Sequence, residues 1–255
     1  DAEGVPVANQ LTITDAVTLQ TLQWSRAEAV SESALATASG NLIIAGYGGT
    51  KTGNRAFVTE VLDAATDPIT LSSVLLPNID GGKFAEAYAM TPDGVYIVGR
   101  SDSPKGPQAC LWFVDAITGA WVVKPLGGLS KKSLDSVATG VAYRLGAADG
   151  DLIAVGYSKS ILYPSEAFVW SGNPILEENV MDVGIPGYLY DMEYILTKVG
   201  VGEASGMGSE WILNQATGIA VDDFGISRIV GWGTNPEGGI EAWLVSGFPF
   251  DELEP

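Results

Sequence analysis

The amino-acid sequence predicts an all-β protein, a five-bladed β-propeller built from imperfect repeats of about 40–55 residues. Three observations lead there. The apolar segments are short and rich in Ile and Val, the 32 Gly and 13 Pro are scattered rather than gathered into a linker, and one compound pattern returns with near-constant internal spacing. With 46% hydrophobic and 17% charged residues over 255 positions, the chain has enough apolar surface to fold and the length of one large all-β domain, taken as 1–255.

The first segment, about residues 10–24, holds Leu11-Thr12-Ile13-Thr14 and Val17-Thr18-Leu19-Gln20-Thr21-Leu22, strand-like stretches without a blade of their own. At the other end, the last repeat stops soon after Ala242-Trp243-Leu244-Val245, ahead of a tail over about 248–255. The N-terminal strand is therefore expected to join the last blade, closing the ring and removing an open sheet edge.

Each repeat reads as a strand of small residues, an Ile/Val-rich strand ending in Gly, a hairpin, and a strand that opens with Ala and a large residue. The first copy runs from Ser33 through Ile43-Ile44-Ala45-Gly46 to Ala56-Phe57-Val58. In the second, Ala89-Met90-Thr91-Pro92-Asp93-Gly94 leads to Ile97-Val98-Gly99 and Ala109-Cys110-Leu111-Trp112. The third comprises Ala138-Thr139-Gly140-Val141-Ala142, Ala154-Val155-Gly156 and Ala167-Phe168-Val169-Trp170; the last comprises Ala216-Thr217-Gly218-Ile219-Ala220, Ile229-Val230-Gly231 and Ala242-Trp243. From the strand-ending Gly to the residue after Ala is eleven or twelve positions every time, as a repeated hairpin demands. Segments 69–76 and 120–123 read as outer strands of the first two blades. A weaker copy over about 186–213, where Val199-Gly200 or Val201-Gly202 precedes Glu210-Trp211-Ile212-Leu213, supplies the fifth. Such sheets bury their faces only against neighbouring copies; a β-sandwich or an open β-solenoid is the alternative.

The turn Pro92-Asp93-Gly94, the stretch Val98-Gly99-Arg100-Ser101, and above all Val155-Gly156-Tyr157-Ser158 with Ala167-Phe168-Val169-Trp170 resemble the repeat of bacterial extracellular HAF-repeat proteins, named for a His-Ala-Phe motif. The likeness extends from about Ser33 to Val245. Where that family carries His before Ala-Phe, this chain has Arg55, Gln108, Glu166 and Glu241, so nothing that needs the imidazole carries over. The resemblance implies export to the periplasm, the cell surface or the medium, with the signal peptide removed; the start at Asp1 fits a processed export product and a trimmed chain equally. It implies no activity.

Charge and composition narrow the chemistry. The 31 acidic and 13 basic residues give a net charge of −18, which repels phosphates and anionic lipid, and no Lys/Arg cluster offsets it; no nucleic-acid partner is expected. No apolar run approaches the ~20 residues of a membrane span, so no membrane insertion is expected, and the charge favours a monomer. The absence of His removes Ser-His-Asp and Cys-His catalysis, and a single cysteine, Cys110, cannot build a zinc site. Cys110 lies in an apolar run and reads as core. Neither a Ca²⁺-binding Asp run nor a phosphate-binding Gly loop occurs, so no metal and no cofactor are expected.

The candidate ligand-binding residues follow each strand-ending Gly: Tyr47, Arg100, Tyr157 and Trp232. Sharing one position per blade, they would line one end of the ring, where aromatic faces suit sugar rings or peptide side chains and Arg100 suits a carboxylate. Capping their own hairpins and packing between blades is the favoured structural reading of these four, and packing between blades that of Trp112, Trp170, Trp211 and Trp243. Asp191 and Glu193 share a face if their segment is a strand, and with Asp222 they are the carboxylates of a glycan-hydrolase alternative seated in the propeller funnel. The expected function is an exported or cell-surface binding module for a glycan, a peptide or a surface protein, without catalysis. A purely structural envelope protein is the remaining alternative.

Overall fold

A computed structural model describes residues 12–18, 20–32, 40–63, 70–130, 134–144, 151–174, 188–192, 195–196 and 211–248. Within them fifteen strands form four antiparallel sheets. The first sheet comprises β1 (Trp24–Val30), β2 (Leu42–Thr50), β3 (Gly53–Asp63) and β4 (Thr70–Leu75). The second has β5 (Ala85–Met90), β6 (Ile97–Ser101), β7 (Gln108–Val114) and β8 (Trp121–Gly127). The third has β9 (Ser136–Tyr143), β10 (Leu152–Ser158), β11 (Glu166–Gly172) and β12 (Tyr188–Asp191). Three strands, β13 (Ile212–Val221), β14 (Ser227–Thr234) and β15 (Ile240–Ser246), make the fourth. Strands adjacent in sequence are adjacent in every sheet, and β4 and β8 fall on the segments read as outer strands.

One register feature recurs in all four sheets. Gly46, Gly99, Gly156 and Gly231 lie on second strands, each opposite a β-bulge in the first strand: between Ala27 and Ala29, Ala87 and Ala89, Ala138 and Gly140, and Ala216 and Gly218. The bulge pushes the backbone of the first strand toward the second. A Cβ on these glycines would sit 1.9 to 2.0 Å from the carbonyl oxygen of Arg26, Glu86, Val137 or Gln215. Only glycine fits that approach.

The sheets stack in chain order, and period-two alternation sends neighbouring residues to different interfaces. The first strands follow one another in space, β1 touching β5, β5 touching β9 and β9 touching β13. Between the first and second sheets lie Ala45, Ala56, Val58, Ile97, Cys110 and Trp112. Val98, Ala109, Leu111, Leu152, Phe168 and Trp170 fill the next interface, and Val155, Ala167, Val169, Ile229, Trp243 and Val245 the one after. In the first three sheets the residue before each corner glycine, Ala45, Val98 or Val155, thus faces the following sheet, together with Val58, Leu111 or Val169 of the third strand.

Two expectations are not met among the described residues. The described part of the N-terminal segment pairs with the first sheet, not the last. Thr14 and Thr21 bridge a short hairpin, Asp15 makes a parallel bridge with Ser73 of β4, and Ile13 and Leu22 cover Phe57 and Leu75 on the outer face of the first sheet. The Asp15 carboxylate accepts the Val17 and Thr18 amides at 3.2 and 3.3 Å and the Thr18 hydroxyl at 2.5 Å, which turns the chain back on itself and puts both apolar anchors on one side. Leu19 lies outside the described residues, and Trp24 already belongs to β1.

The weak copy is not a separate blade among the described residues, which hold four sheets rather than five. Tyr188 to Asp191 close the third sheet, Met192, Ile195 and Leu196 fill the core between the third and fourth, and Leu213 continues through Ala216 within β13. Val199 to Gly202 and Glu210 lie outside the described residues. The fourth sheet consequently keeps an uncovered face. Val230 is 45% exposed and Leu244 58%, whereas Val98, Val155, Leu111 and Val169 at the matching positions are fully buried.

Candidate functional site

Tyr47, Arg100, Tyr157 and Trp232 occupy one register position, each facing the Ala that opens the third strand: Ala56, Ala109, Ala167 and Ala242. Two residues earlier, Ala45, Val98 and Val155 point into the cleft shared with the following sheet. By alternation Tyr47, Arg100 and Tyr157 point the same way and stand at the lips of successive clefts, half-buried.

These lips are joined by residues on β5. The Tyr47 ring meets Tyr88 edge-on at 5.8 Å and Trp24 at 5.9 Å between centroids, with the Arg26 guanidinium 6.0 Å from its centre. The Tyr88 hydroxyl donates to the Glu86 carboxylate, which also accepts Asn54 Nδ2 at 2.6 Å and Arg100 Nε at 2.7 Å. Arg100 in turn lies over the Phe84 ring at 5.4 Å, and its charge reaches Tyr157 across the next cleft. Trp24, Tyr47, Tyr88, Glu86 and Arg100 therefore form one contiguous row over the first two sheets, and Tyr157 holds the matching register position on the third. Trp232 stands apart on the fourth, its Nε1 donating to Gln215 Oε1 at 3.2 Å.

The charges in the row are fixed by their partners. Burial alone would raise the pKa of Glu86, but hydrogen bonds from Tyr88, Asn54 and Arg100, together with the Arg100 charge, hold it below its ordinary value. Tyr88 is pushed up by burial and by donating to Glu86, so it stays a protonated donor. Burial opposes the Arg100 cation, and Glu86 more than restores it. The Tyr157 hydroxyl is raised by burial, against the pull of Arg100. Sequence reasoning missed Asn54, Glu86 and Tyr88; the alternation Glu86-Ala87-Tyr88 on a strand paired to Arg100 is the signal that could have found them.

The other candidates are placed as follows. Trp112, Trp170 and Trp243 are buried between sheets, Trp112 donating to the Pro77 carbonyl at 2.7 Å, and Trp211 is half-buried just before β13. Cys110 is fully buried, and burial pushes its thiol pKa up. Of the hydrolase set, Asp191 ends β12, the outermost strand of the third sheet, with Met192 after it already outside that strand. Glu193 lies outside the described residues. Asp222 serves its own hairpin, accepting the Phe224 and Ile226 amides at 3.0 and 2.9 Å and pairing with Arg228 at 2.8 Å. Among the described residues no three acidic or sulfur side chains gather as metal ligands would, and no helix is long and apolar enough to cross a membrane.

Compared with known proteins, the sequence matches no family model and no curated protein. Among solved structures it is similar to the crystal structure of Sqt1 from Chaetomium thermophilum, with 14% identity, 86% of this chain and 62% of that chain covered, and a TM-score of 0.25.

Proposed function

We propose that this protein is an exported or cell-surface binding module of repeated β-sheet blades, and that it grips a glycan along the row formed by Tyr47, Arg100 and Tyr157, with Trp232 extending it on the fourth sheet. One observation carries the reading: aromatic rings and a guanidinium recur at one register position of successive sheets, and Glu86 and Tyr88 tie the first two together. A row on strands rather than loops is preorganised, and tyrosines offer apolar faces with polar tips at small entropic cost. Arg100 spends its Nε on Glu86, so the contribution assigned to it is orientation of the row more than neutralisation of a charged ligand.

A glycan array with the wild type and Tyr157→Ala tests this. The expected result is a loss of binding of tenfold or more, with the melting temperature within about 3 °C of wild type. Unchanged binding overturns the reading, and a large fall in melting temperature reassigns Tyr157 to packing.

The HAF-repeat resemblance supports export, and the succession of first strands β1, β5, β9 and β13 supports an arrangement of blades about a common axis. We infer a ring of the propeller class, which closes when the exposed face of the fourth sheet docks on the hairpin side of the first. That closure has its own test. Leu244→Lys is expected to lower stability by about 2 kcal/mol in a closed ring, as for a charge forced into an interface; a change within about 0.5 kcal/mol denotes a solvated, open end.

A further inference from the structure

A pocket away from the aromatic row lies where the N-terminal hairpin, the first sheet and the β7–β8 turn meet. Its volume is about 430 Å³, within the range that takes a small molecule. Val17, Val74, Leu75 and Pro77 form apolar walls, Trp121 stands on the side of the second sheet, and Arg55 from β3 supplies the charge.

Arg55 is short of partners. Its Nη2 reaches the Leu76 carbonyl at 3.3 Å, its Nε is buried without an acceptor, and among the described residues no carboxylate forms an ion pair with it. A guanidinium carries five donors, and half-buried cations are normally paired. Burial opposes its charge, with the field of Asp15 working the other way. Asp15 does not complete the pair, because its oxygens are taken by the Val17 and Thr18 amides and the Thr18 hydroxyl. The outer nitrogens of the guanidinium, without a carboxylate among the described residues, thus line a roomy, mostly apolar pocket that an anion could enter.

We propose that this pocket is a binding site for a small ring-bearing carboxylate, whose carboxylate is held by Arg55 while the ring lies against Trp121 and the Val74–Leu75 wall. A planar guanidinium matches a carboxylate with two parallel hydrogen bonds, and an indole face suits either the apolar face of a sugar ring or an aromatic ring. The whole-protein charge of −18 opposes entry of any anion, so recognition rests on contact at Arg55 rather than on long-range attraction. Added salt therefore leaves the affinity unchanged or raises it.

Calorimetric titration of the full chain with glucuronate and with benzoate, each against its uncharged counterpart, methyl glucoside and benzamide, tests the site and separates a sugar acid from an aromatic acid. At least one carboxylate is expected to bind tenfold or more tightly than its neutral counterpart, and Arg55→Gln is expected to abolish that difference. Arg55→Lys, which keeps the charge but loses the fork, is expected to keep only part of it. Equal binding of charged and neutral forms, no binding of either acid at millimolar concentration, or full retention in Arg55→Gln overturns the proposal. Should Arg55→Gln fail to fold, the wild-type comparison and Arg55→Lys decide alone. Tyr157 lies outside this pocket, so loss of glycan binding in Tyr157→Ala and loss of carboxylate binding in Arg55→Gln are read independently.

Discussion

Gly156→Ala is expected to cost more than about 3 kcal/mol of folding stability, enough to unfold a marginal domain. The new Cβ would lie 1.9 Å from the Val137 carbonyl oxygen and 2.9 Å from the Ala138 Cα. Both are backbone atoms of β9, in a sheet with a packed neighbour on each face, so no side chain can swing aside and the bulge itself would have to open. Gly218→Ala is the matched control. That residue also sits at a bulge, but its added Cβ would meet only Val230 Cγ2 at 3.6 Å, an ordinary contact, and its φ lies outside the left-handed region. The expected change there is neutral to about 1 kcal/mol stabilising, through the less flexible unfolded chain. Denaturant midpoints of the three proteins decide the matter. If the two variants fall within about 1 kcal/mol of each other, the shared bulge is not the reason for the glycine.

That steric demand also explains what could be read in the sequence. A backbone so close that an added Cβ would lie about 2 Å from a facing carbonyl oxygen leaves no choice of residue, so Gly46, Gly99, Gly156 and Gly231 marked the corners of four sheets and carried Tyr47, Arg100, Tyr157 and Trp232 to a shared register position with them. Strand alternation is local as well, which is why the core tryptophans were legible. Partner choice is not local. Nothing in Leu11 to Leu22 says which sheet edge it meets, and the Asp15 turn, which decides it, resembles any polar turn. The fourth sheet was obscured differently: a bulge between Ile212 and Gln215 carries β13 through Asn214 and Gln215, where the sequence reads a gap between one copy ending at Leu213 and the next opening at Ala216. Both Glu86 and Arg55 escaped because a charged residue on an alternating strand reads as solvated, and their burial is created by segments distant in the chain. For Glu86 that segment includes Asn54; for Arg55 it is the hairpin and Trp121.

The second large effect is expected at Glu86. Glu86→Ala removes the acceptor shared by Tyr88, Asn54 and Arg100 and leaves the guanidinium half-buried without a counterion. Breaking a fully buried pair from one side costs about 3–5 kcal/mol. The Arg100 side chain is 32% exposed against 8% for Glu86, so water recovers part of that, and about 2–3 kcal/mol is expected. Replacing both partners, Glu86→Gln with Arg100→Gln, leaves no orphaned charge and should restore most of the loss.

The same pair has a pH signature. A carboxyl whose folded pKa is depressed contributes stability that is present above its unfolded value, about 4.3 for Glu, and lost as pH falls through the folded value. Wild type should therefore lose stability more steeply than the double variant between about pH 5 and pH 2, while the two run parallel near neutrality. Asp15 and Asp222, also held below their ordinary values, are common to both proteins and cancel in the difference. Identical slopes in acid would mean that Glu86 is not the charged hub of the row. Because Tyr88 orients on Glu86 and Tyr47 packs on Tyr88, the acid limb of any glycan-binding profile should follow the same carboxyl.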